Sequence, residues 1–562
     1  MNSIFLVFKL INKKERLYFF FLLLINIFNT LIELIGISLV IPLLLSILNK
    51  NSFFLKKVNI YFDVNAQQLT FLIVFLIILV FSMKFLYSIF SNILINKYLN
   101  KIQNRFAQDI FKKYIYQNYH FFISRSSSEI IRNISSSKSI ASLLTNLINF
   151  FCEILMIFFL MLLLVLNFSA SNFFVLVIFI FIIYFFYKIF KNKIYEYGKK
   201  SQNLSAQFYK NINHILGSIK SIKVYRKENI FFNEFNKILR TENKIILKNN
   251  FIQSLPRILI EFLIILSLSF LIFILLLKQL PSEDVIVSLG VLVAICIRML
   301  PSTNRIIMSL QKLRYELHKI RMLEKDNQLE FIDKENYKKI YFNKNLKLEN
   351  VSYSYKNSGN EVLKNINLEI KKGDFIGIVG KSGSGKTTLI NIILGLLEPT
   401  NGKIYLDNKI FDFNNFKWVQ NFGYVPQNTY LLDATVLQNV ALELDENLID
   451  KNKVIKSLHD VDLEKYALDL NYIVGDAGVR LSGGEQQRFA IARALYNDPD
   501  IIFLDEATNS LDQETEKNIF EILKKFKGKK TIIMISHKNS IYNFCDYVYE
   551  VKNNFVNIKK YE

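Results

Sequence analysis

At 562 residues the chain has room for two or three domains, and 51% hydrophobic content with a mean hydropathy of +0.23 is too apolar for an ordinary soluble enzyme. The formal charge of +22 sits wholly in residues 1–330, with 39 Lys and Arg against 17 Asp and Glu, while 331–562 balance at 31 of each. A nucleic-acid partner is disfavoured because the basic residues bracket apolar runs of bilayer length, and three scattered cysteines (Cys152, Cys296, Cys545) argue against a disulfide scaffold or zinc site.

Residues 1–11 are apolar but short, and Lys13, Lys14 and Arg16 follow rather than precede them, which predicts an interfacial elbow helix instead of a cleavable signal. No peptidase-like segment stands ahead of the first span, so a leader-processing peptide exporter is the less expected reading. Six apolar runs then predict six transmembrane helices, near 17–48, 69–99, 142–166, 173–190, 251–277 and 285–307. Several continue as polar helices, notably 96–119 and 188–225. Lys and Arg crowd 97–138 and 188–248, whereas 167–172 and 278–284 are short and carry little positive charge. The long loops are therefore placed in the cytoplasm. Polar stretches at 118–129 and 217–230 are candidate coupling helices for docking on the second half near Gln427.

Ionisable residues inside apolar runs point to a polar pathway, since a charge at mid-bilayer costs about 2.5–3.5 kcal/mol on the lenient insertion scale. They are Glu33, Lys84, Glu153, Arg257, Glu261 and Arg298, with Arg305 near a run's end. Arg257 and Glu261 are spaced to pair within one helix, and Lys84 is placed to snorkel. Arg298 has no acid within a turn. Lys84, Arg257, Arg298 and Arg305 are the candidate pathway cations, suited to an anionic cargo such as a lipid diphosphate.

In the second half, the apolar stretch 375–379 runs into Gly380-Lys381-Ser382-Gly383-Ser384-Gly385-Lys386-Thr387 and then Thr388, with a new apolar run from Leu389. This is GxxxxGK[ST] in a strand-to-helix context, where backbone N–H groups and a helix N-terminus wrap a nucleotide phosphate. Leu481-Ser482-Gly483-Gly484-Glu485 precedes a helix-like run from Phe489 to Leu495, and its hydroxyl and glycine amides make a second anion-binding helix start. Ile501-Ile502-Phe503-Leu504 reads as a buried strand ending in Asp505-Glu506. Two acids suit two tasks there: Asp505 for a Mg²⁺ shell and Glu506 to accept a proton from water.

These motifs in this order resemble those of ABC ATPases, and with six preceding spans the chain resembles an ABC exporter half-transporter. The resemblance implies an α-helical membrane domain of six transmembrane helices (1–330) fused to an α/β P-loop ABC ATPase domain (331–562), with ATP and Mg²⁺ as cofactors and a homodimer as the working unit. It assigns Tyr355 to adenine stacking, although a strand tyrosine also serves packing alone. Residues 380–388, Lys386 among them, bind phosphates; Thr387, Gln427 and Asp505 serve the metal. Glu506 is the catalytic base and His537 the switch histidine, while Ser482, Gly483 and Gly484 complete the partner's site. Asn509-Ser510-Leu511-Asp512 resembles the D-loop, and Glu485 stands where glutamine is commonest.

Pro256-Arg257-Ile258, the stretch Arg298 to Ile306 and Val474-Gly475-Asp476-Ala477-Gly478 further resemble bacterial flippases that move lipid-linked oligosaccharides. That implies a multi-pass protein of the bacterial inner membrane with a cytoplasmic ATPase domain, a lipid-linked saccharide cargo and contacts with membrane lipids. Lipid, peptide or drug export, and an ATP-gated channel or regulatory protein, are the alternatives.

Overall fold

Apolar runs that continue into polar, helix-favouring residues give the first half helices much longer than a bilayer is thick. The computed structural model describes residues 2–40, 42–43, 66–167, 173–277, 282–331, 342–355, 361–411, 422–475, 478–508 and 512–559. Two units divide the chain: Met1–Gln117 with Phe122–Ile332, and Asn118–Phe121 with Asp333–Glu562.

The first unit opens with α1 (Asn2–Leu10), α2 (Lys13–Ser38) and α3 (Ala66–Ile115); α4 (Tyr119–Ser124) starts within the second unit's Asn118–Phe121 segment and ends in the first, where α5 (Ser127–Ser137) follows. It continues with α6 (Ser139–Asn167), α7 (Phe173–Gly217), α8 (Ile219–Val224), α9 (Glu228–Leu277) and α10 (Ser282–Asn327). The long members α2, α3, α6, α7, α9 and α10 each carry one of the six apolar runs. At 50 residues, α3 and α9 extend about 75 Å, at 1.5 Å per residue. Along α3, Phe71, Phe75, Ile78, Phe85, Leu86 and Ile93 are exposed, as a lipid-facing surface requires. The short helices α4 and α8 fall within the two polar stretches expected to turn the chain.

The first span differs from its expected start. Helix α2 begins at Lys13 rather than residue 17, because the Glu15 carboxylate accepts the Asn12 backbone N–H at 2.9 Å and closes the first turn. Arg105 of α3 then clamps Glu15 at 2.5 and 2.7 Å. Helix α2 ends at Ser38, and residues 44–48 of the expected run lie outside the described residues.

Helix α7 packs on α10 where Gly198 meets the Tyr315 backbone, and a methyl group there would overlap the Tyr315 carbonyl oxygen. Gly198→Ala is expected to destabilise this unit by about 1–3 kcal/mol, the usual cost of overpacking. A lower unfolding midpoint for the detergent-solubilised full-length protein checks it.

The second unit contains β1 (Asn345–Ser354), β2 (Glu361–Lys371), β3 (Phe375–Gly380), α11 (Lys386–Ile393), β4 (Asn401–Leu406), β5 (Lys409–Ile410) and β6 (Phe422–Val425). Then come α12 (Val436–Ala441), α13 (Lys451–His459), α14 (Glu464–Ala467), α15 (Gly483–Leu495), β7 (Ile501–Asp505), α16 (Gln513–Lys524), β8 (Thr531–Ile535), β9 (Tyr547–Lys552) and β10 (Phe555–Lys559). One sheet is antiparallel in the order β2-β1-β4-β5; the other runs β10-β9-β3-β8-β7-β6 and is parallel from β9 to β6. The parallel core strands read as unbroken apolar runs because both faces are covered. In β7, Ile502 and Leu504 enter one core cluster while Ile501 and Phe503 enter the other. Loops leaving the C-terminal ends of β3, β6, β7 and β8 therefore emerge along one edge, where parallel α/β sheets bind ligands.

Candidate functional site

The P-loop connects β3 to α11. Gly383 and Gly385 hold φ of 78° and 104°, a left-handed region open mainly to glycine, and a Cβ at Gly385 would press on Leu363 at 3.0 Å. Lys386 is buried at the helix start. Its Nζ donates to the carbonyls of Gly380 (3.1 Å) and Lys381 (3.0 Å) and lies 4.0 Å from Glu506 Oε1. Burial lowers its pKa, while Glu506 and Asp505 pull it back up. Lys381, Ser382, Gly383 and Thr387 are exposed. Thr388 is buried, its hydroxyl 3.2 Å from that of Tyr355, so the tyrosine lies beside this loop while its ring stands edge-on to Tyr353.

Asp505 ends β7 in a buried position, and Glu506 follows at φ 52°, a conformation that turns its side chain out of the strand. Asp505 has its pKa raised by desolvation and by Glu506, against the opposing pull of Tyr424 and Lys386. The Tyr424 hydroxyl donates to Asp505 Oδ2 at 3.4 Å. Glu506 is held at both oxygens: Gln427 Nε2 donates to Oε2 at 2.9 Å, and His537 Nε2 lies 2.8 Å from Oε1. A carboxylate only accepts, so the fitting tautomer of His537 carries its proton on Nε2. Lys386, Gln427, Asp505, Glu506 and His537 are thus brought into one cluster.

The residues fit a nucleoside triphosphate with Mg²⁺. Ser384 Oγ is buried in the loop with no hydrogen-bond partner among the described residues, and open space surrounds the Gly383 Cα. Asp505, raised by burial and by a like charge, is a carboxylate that a divalent cation would keep ionised.

Ser482, Gly483 and Gly484 open α15 instead. Ser482 is its N-cap and Glu485 its third residue: the Ser482 N–H and hydroxyl donate to Glu485 Oε2 at 2.8 and 2.9 Å. Oε1 of Glu485 takes Lys465 Nζ at 2.5 Å and the Tyr466 hydroxyl at 3.1 Å. Desolvation alone would raise the Glu485 pKa, but these donors outweigh it and hold the carboxyl at about 2. Its stabilisation is therefore complete above its ordinary 4.5 and is lost as pH falls toward about 2. Glu485→Gln should flatten the acid-side fall of the unfolding midpoint in that window. Of the D-loop, residues 509–511 lie outside the described residues and Asp512 caps α16; residues 476 and 477 of the 474–478 stretch lie outside them too. Sequence reasoning assigned no part to Tyr424, Lys465 or Tyr466. The alternation of β6 was available as a signal for Tyr424 alone.

The pathway cations are not a free cationic surface. Arg298 of α10 meets Glu33 of α2 at 2.7 Å and Glu153 of α6 at 3.7 Å, and donates to Ser302 Oγ at 2.8 Å. Lys84 of α3 pairs with Glu33 at 3.1 Å rather than snorkelling, and Arg305 pairs with Glu153 at 2.7 Å. Local spacing hid this because the acids come from other helices. Arg257 pairs with Glu261 at 2.8 Å on an exposed helix face, as i,i+4 spacing allows.

The model of the ABC transporter transmembrane region matches residues 17–296, and the ABC transporter model matches 363–509. A leukotoxin translocation ATP-binding protein of Pasteurella haemolytica-like sp. (strain 5943B) is 38% identical over 203 residues, 35% of this chain and 28% of that protein. The alpha-hemolysin translocation ATP-binding protein of Escherichia coli O157:H7 is 35% identical over 216 residues, 38% of this chain and 30% of its own length. A lactococcin-G-processing and transport ATP-binding protein of Lactococcus lactis subsp. lactis is 30% identical over 447 residues, 76% of this chain and 61% of its own. The chain thus spans between 28% and 61% of the length of these relatives. The solved structure of a bacterial Atm1-family ABC exporter with ATP bound superposes with a TM-score of 0.78 at 19% identity, covering 97% of this chain and 94% of that one, which shows the fold.

Proposed function

Because the chain belongs to the ABC transporters, through both its membrane region and its ATPase domain, we propose that it is an ATP-driven exporter that works as a homodimer. The observation that carries the ATPase half of this reading is Glu506, gripped by Gln427 and His537 beside the P-loop lysine. Bound ATP supplies the phosphoanhydride and Mg²⁺ the charge that offsets its phosphates. The loop amides from Gly383 to Gly385 and Lys386 would bind phosphate oxygens; Thr387, Gln427 and Asp505 would hold the metal; Tyr355 would meet the base. Glu506 accepts a proton on its carboxylate, and His537 orients that carboxylate through Nε2–H. Ser482, Gly483 and Gly484 face the nucleotide of the second copy. The membrane half lies in the bacterial inner membrane with the ATPase unit in the cytoplasm, and α4 and α8 are its coupling helices.

For cargo, the lactococcin relative is the informative one, because its match is too long to lie within the ATPase unit alone and cargo is chosen in the membrane half. It favours a polypeptide. The lipid-linked oligosaccharide expected from sequence has no counterpart among these relatives' names, and the pairing of Lys84, Arg298 and Arg305 with acids removes the free cations on which it leaned. ATPase rates of the full-length protein in lipid nanodiscs, with peptides or with a polyprenyl-diphosphate oligosaccharide, separate the two. Stimulation by peptide supports the polypeptide reading; stimulation by the saccharide lipid alone overturns it.

A further inference from the structure

The first turn of α15 carries a carboxylate at the place where an anion is to be captured, and the structure shows what manages its charge. A serine hydroxyl has one proton to give. That of Ser482 is given to Glu485 Oε2 at 2.9 Å, and the Ser482 backbone N–H goes to the same oxygen at 2.8 Å. The hydroxyl can serve a phosphate only by leaving Oε2, and the negative charge on Glu485 sets both how firmly it is held and how strongly a phosphate is repelled. The opposite oxygen faces α14, where Lys465 Nζ at 2.5 Å and the Tyr466 hydroxyl at 3.1 Å draw on that charge. Lys465 Nζ also sits 4.6 Å over the Tyr466 ring, which fixes its approach. The Lys465 side chain is 64% exposed, so its removal opens no cavity.

We infer that Lys465 is a positioning residue for phosphate capture, countering the Glu485 carboxylate so that the Ser482 hydroxyl can be released to the nucleotide of the second copy. This rests on the reading of residues 482–484 as the phosphate-binding end of an ABC ATPase. A glutamine at position 485 would need no counter-charge, and Lys465 offsets the departure from it.

The test is ATP hydrolysis against ATP concentration for the full-length protein in nanodiscs. Lys465→Met should raise KM about three- to tenfold with kcat within about twofold, the scale of one uncompensated charge at a partly solvated surface. Raising salt should shrink the difference. Lys465→Arg should restore the original KM, and in a Glu485→Gln background the Lys465→Met effect should vanish. An unchanged KM in Lys465→Met, an equal rise in both backgrounds, or a fall in kcat and thermal midpoint with KM constant would each overturn the inference, the last leaving a plain helix cap. Hydrolysis indifferent to Glu506→Gln would instead remove the ATPase reading itself, and this role with it.

Discussion

Glu506→Gln is expected to lower ATP hydrolysis at least about 10²-fold while nucleotide binding survives, the usual scale for loss of a general base. The substitution keeps shape and leaves an amide oxygen to accept His537 Nε2–H, which lies 2.8 Å away in the native protein. Gln427 can turn its own amide so that its oxygen accepts from the new amide nitrogen, so the 2.9 Å contact is remade with donor and acceptor exchanged. Only the proton-accepting capacity is lost. Asp505, whose pKa Glu506 helps to raise, stays in place as a carboxylate for the metal. The variant should therefore retain Mg-nucleotide binding, measured with a fluorescent ATP analogue alongside phosphate release. Turnover within a few-fold of the native protein would remove Glu506 from its role.

Glu33→Ala should produce the largest stability loss in the membrane half. Among the described residues Glu33 is the acid that answers Lys84 at 3.1 Å and the closer of two that answer Arg298, at 2.7 Å, so its removal leaves two cations, with Glu153 at 3.7 Å from Arg298. The Arg298 and Glu33 side chains are 12% and 16% exposed, so water offers limited relief. Removing one partner of a buried pair costs about 3–5 kcal/mol, whereas replacing both with apolar residues is often neutral. Glu33→Met combined with Arg298→Met should accordingly recover the share of the loss that comes from Arg298, since Glu153 keeps Arg305 at 2.7 Å, while the share that comes from Lys84 remains. Thermal midpoints of the solubilised full-length proteins compare them. A double variant as unstable as Glu33→Ala would show that packing, not charge, matters there.

What the sequence made legible follows from what its motifs encode. The P-loop, the Asp505-Glu506 pair and the residue order around Gln427 and His537 are local spacings on strand ends, and a parallel sheet brings strand ends to one edge. Helix identity was equally readable, since an apolar run of bilayer length has few other fates. Partners across the fold were not. Glu33 lies 265 residues from Arg298, and the registers of α2 and α10 that align them are set by packing rather than by periodicity. Lys465 was invisible for a similar reason: it lies 20 residues before Glu485 on a four-residue helix with no pattern of its own. The start of α2 was misjudged by hydropathy alone, because a polar first turn closed by Glu15 belongs to the helix without being apolar.

Nucleotide hydrolysis at Glu506 is proposed to drive movement of a cargo across the membrane. Inside-out proteoliposomes containing the full-length protein, given a labelled peptide outside, test it in one measurement of ATP-dependent uptake. The expected result is accumulation inside that requires ATP and Mg²⁺ and is absent in Glu506→Gln. Uptake that proceeds equally in Glu506→Gln, or an ATP-opened leak of small ions without accumulation of any cargo, would contradict it.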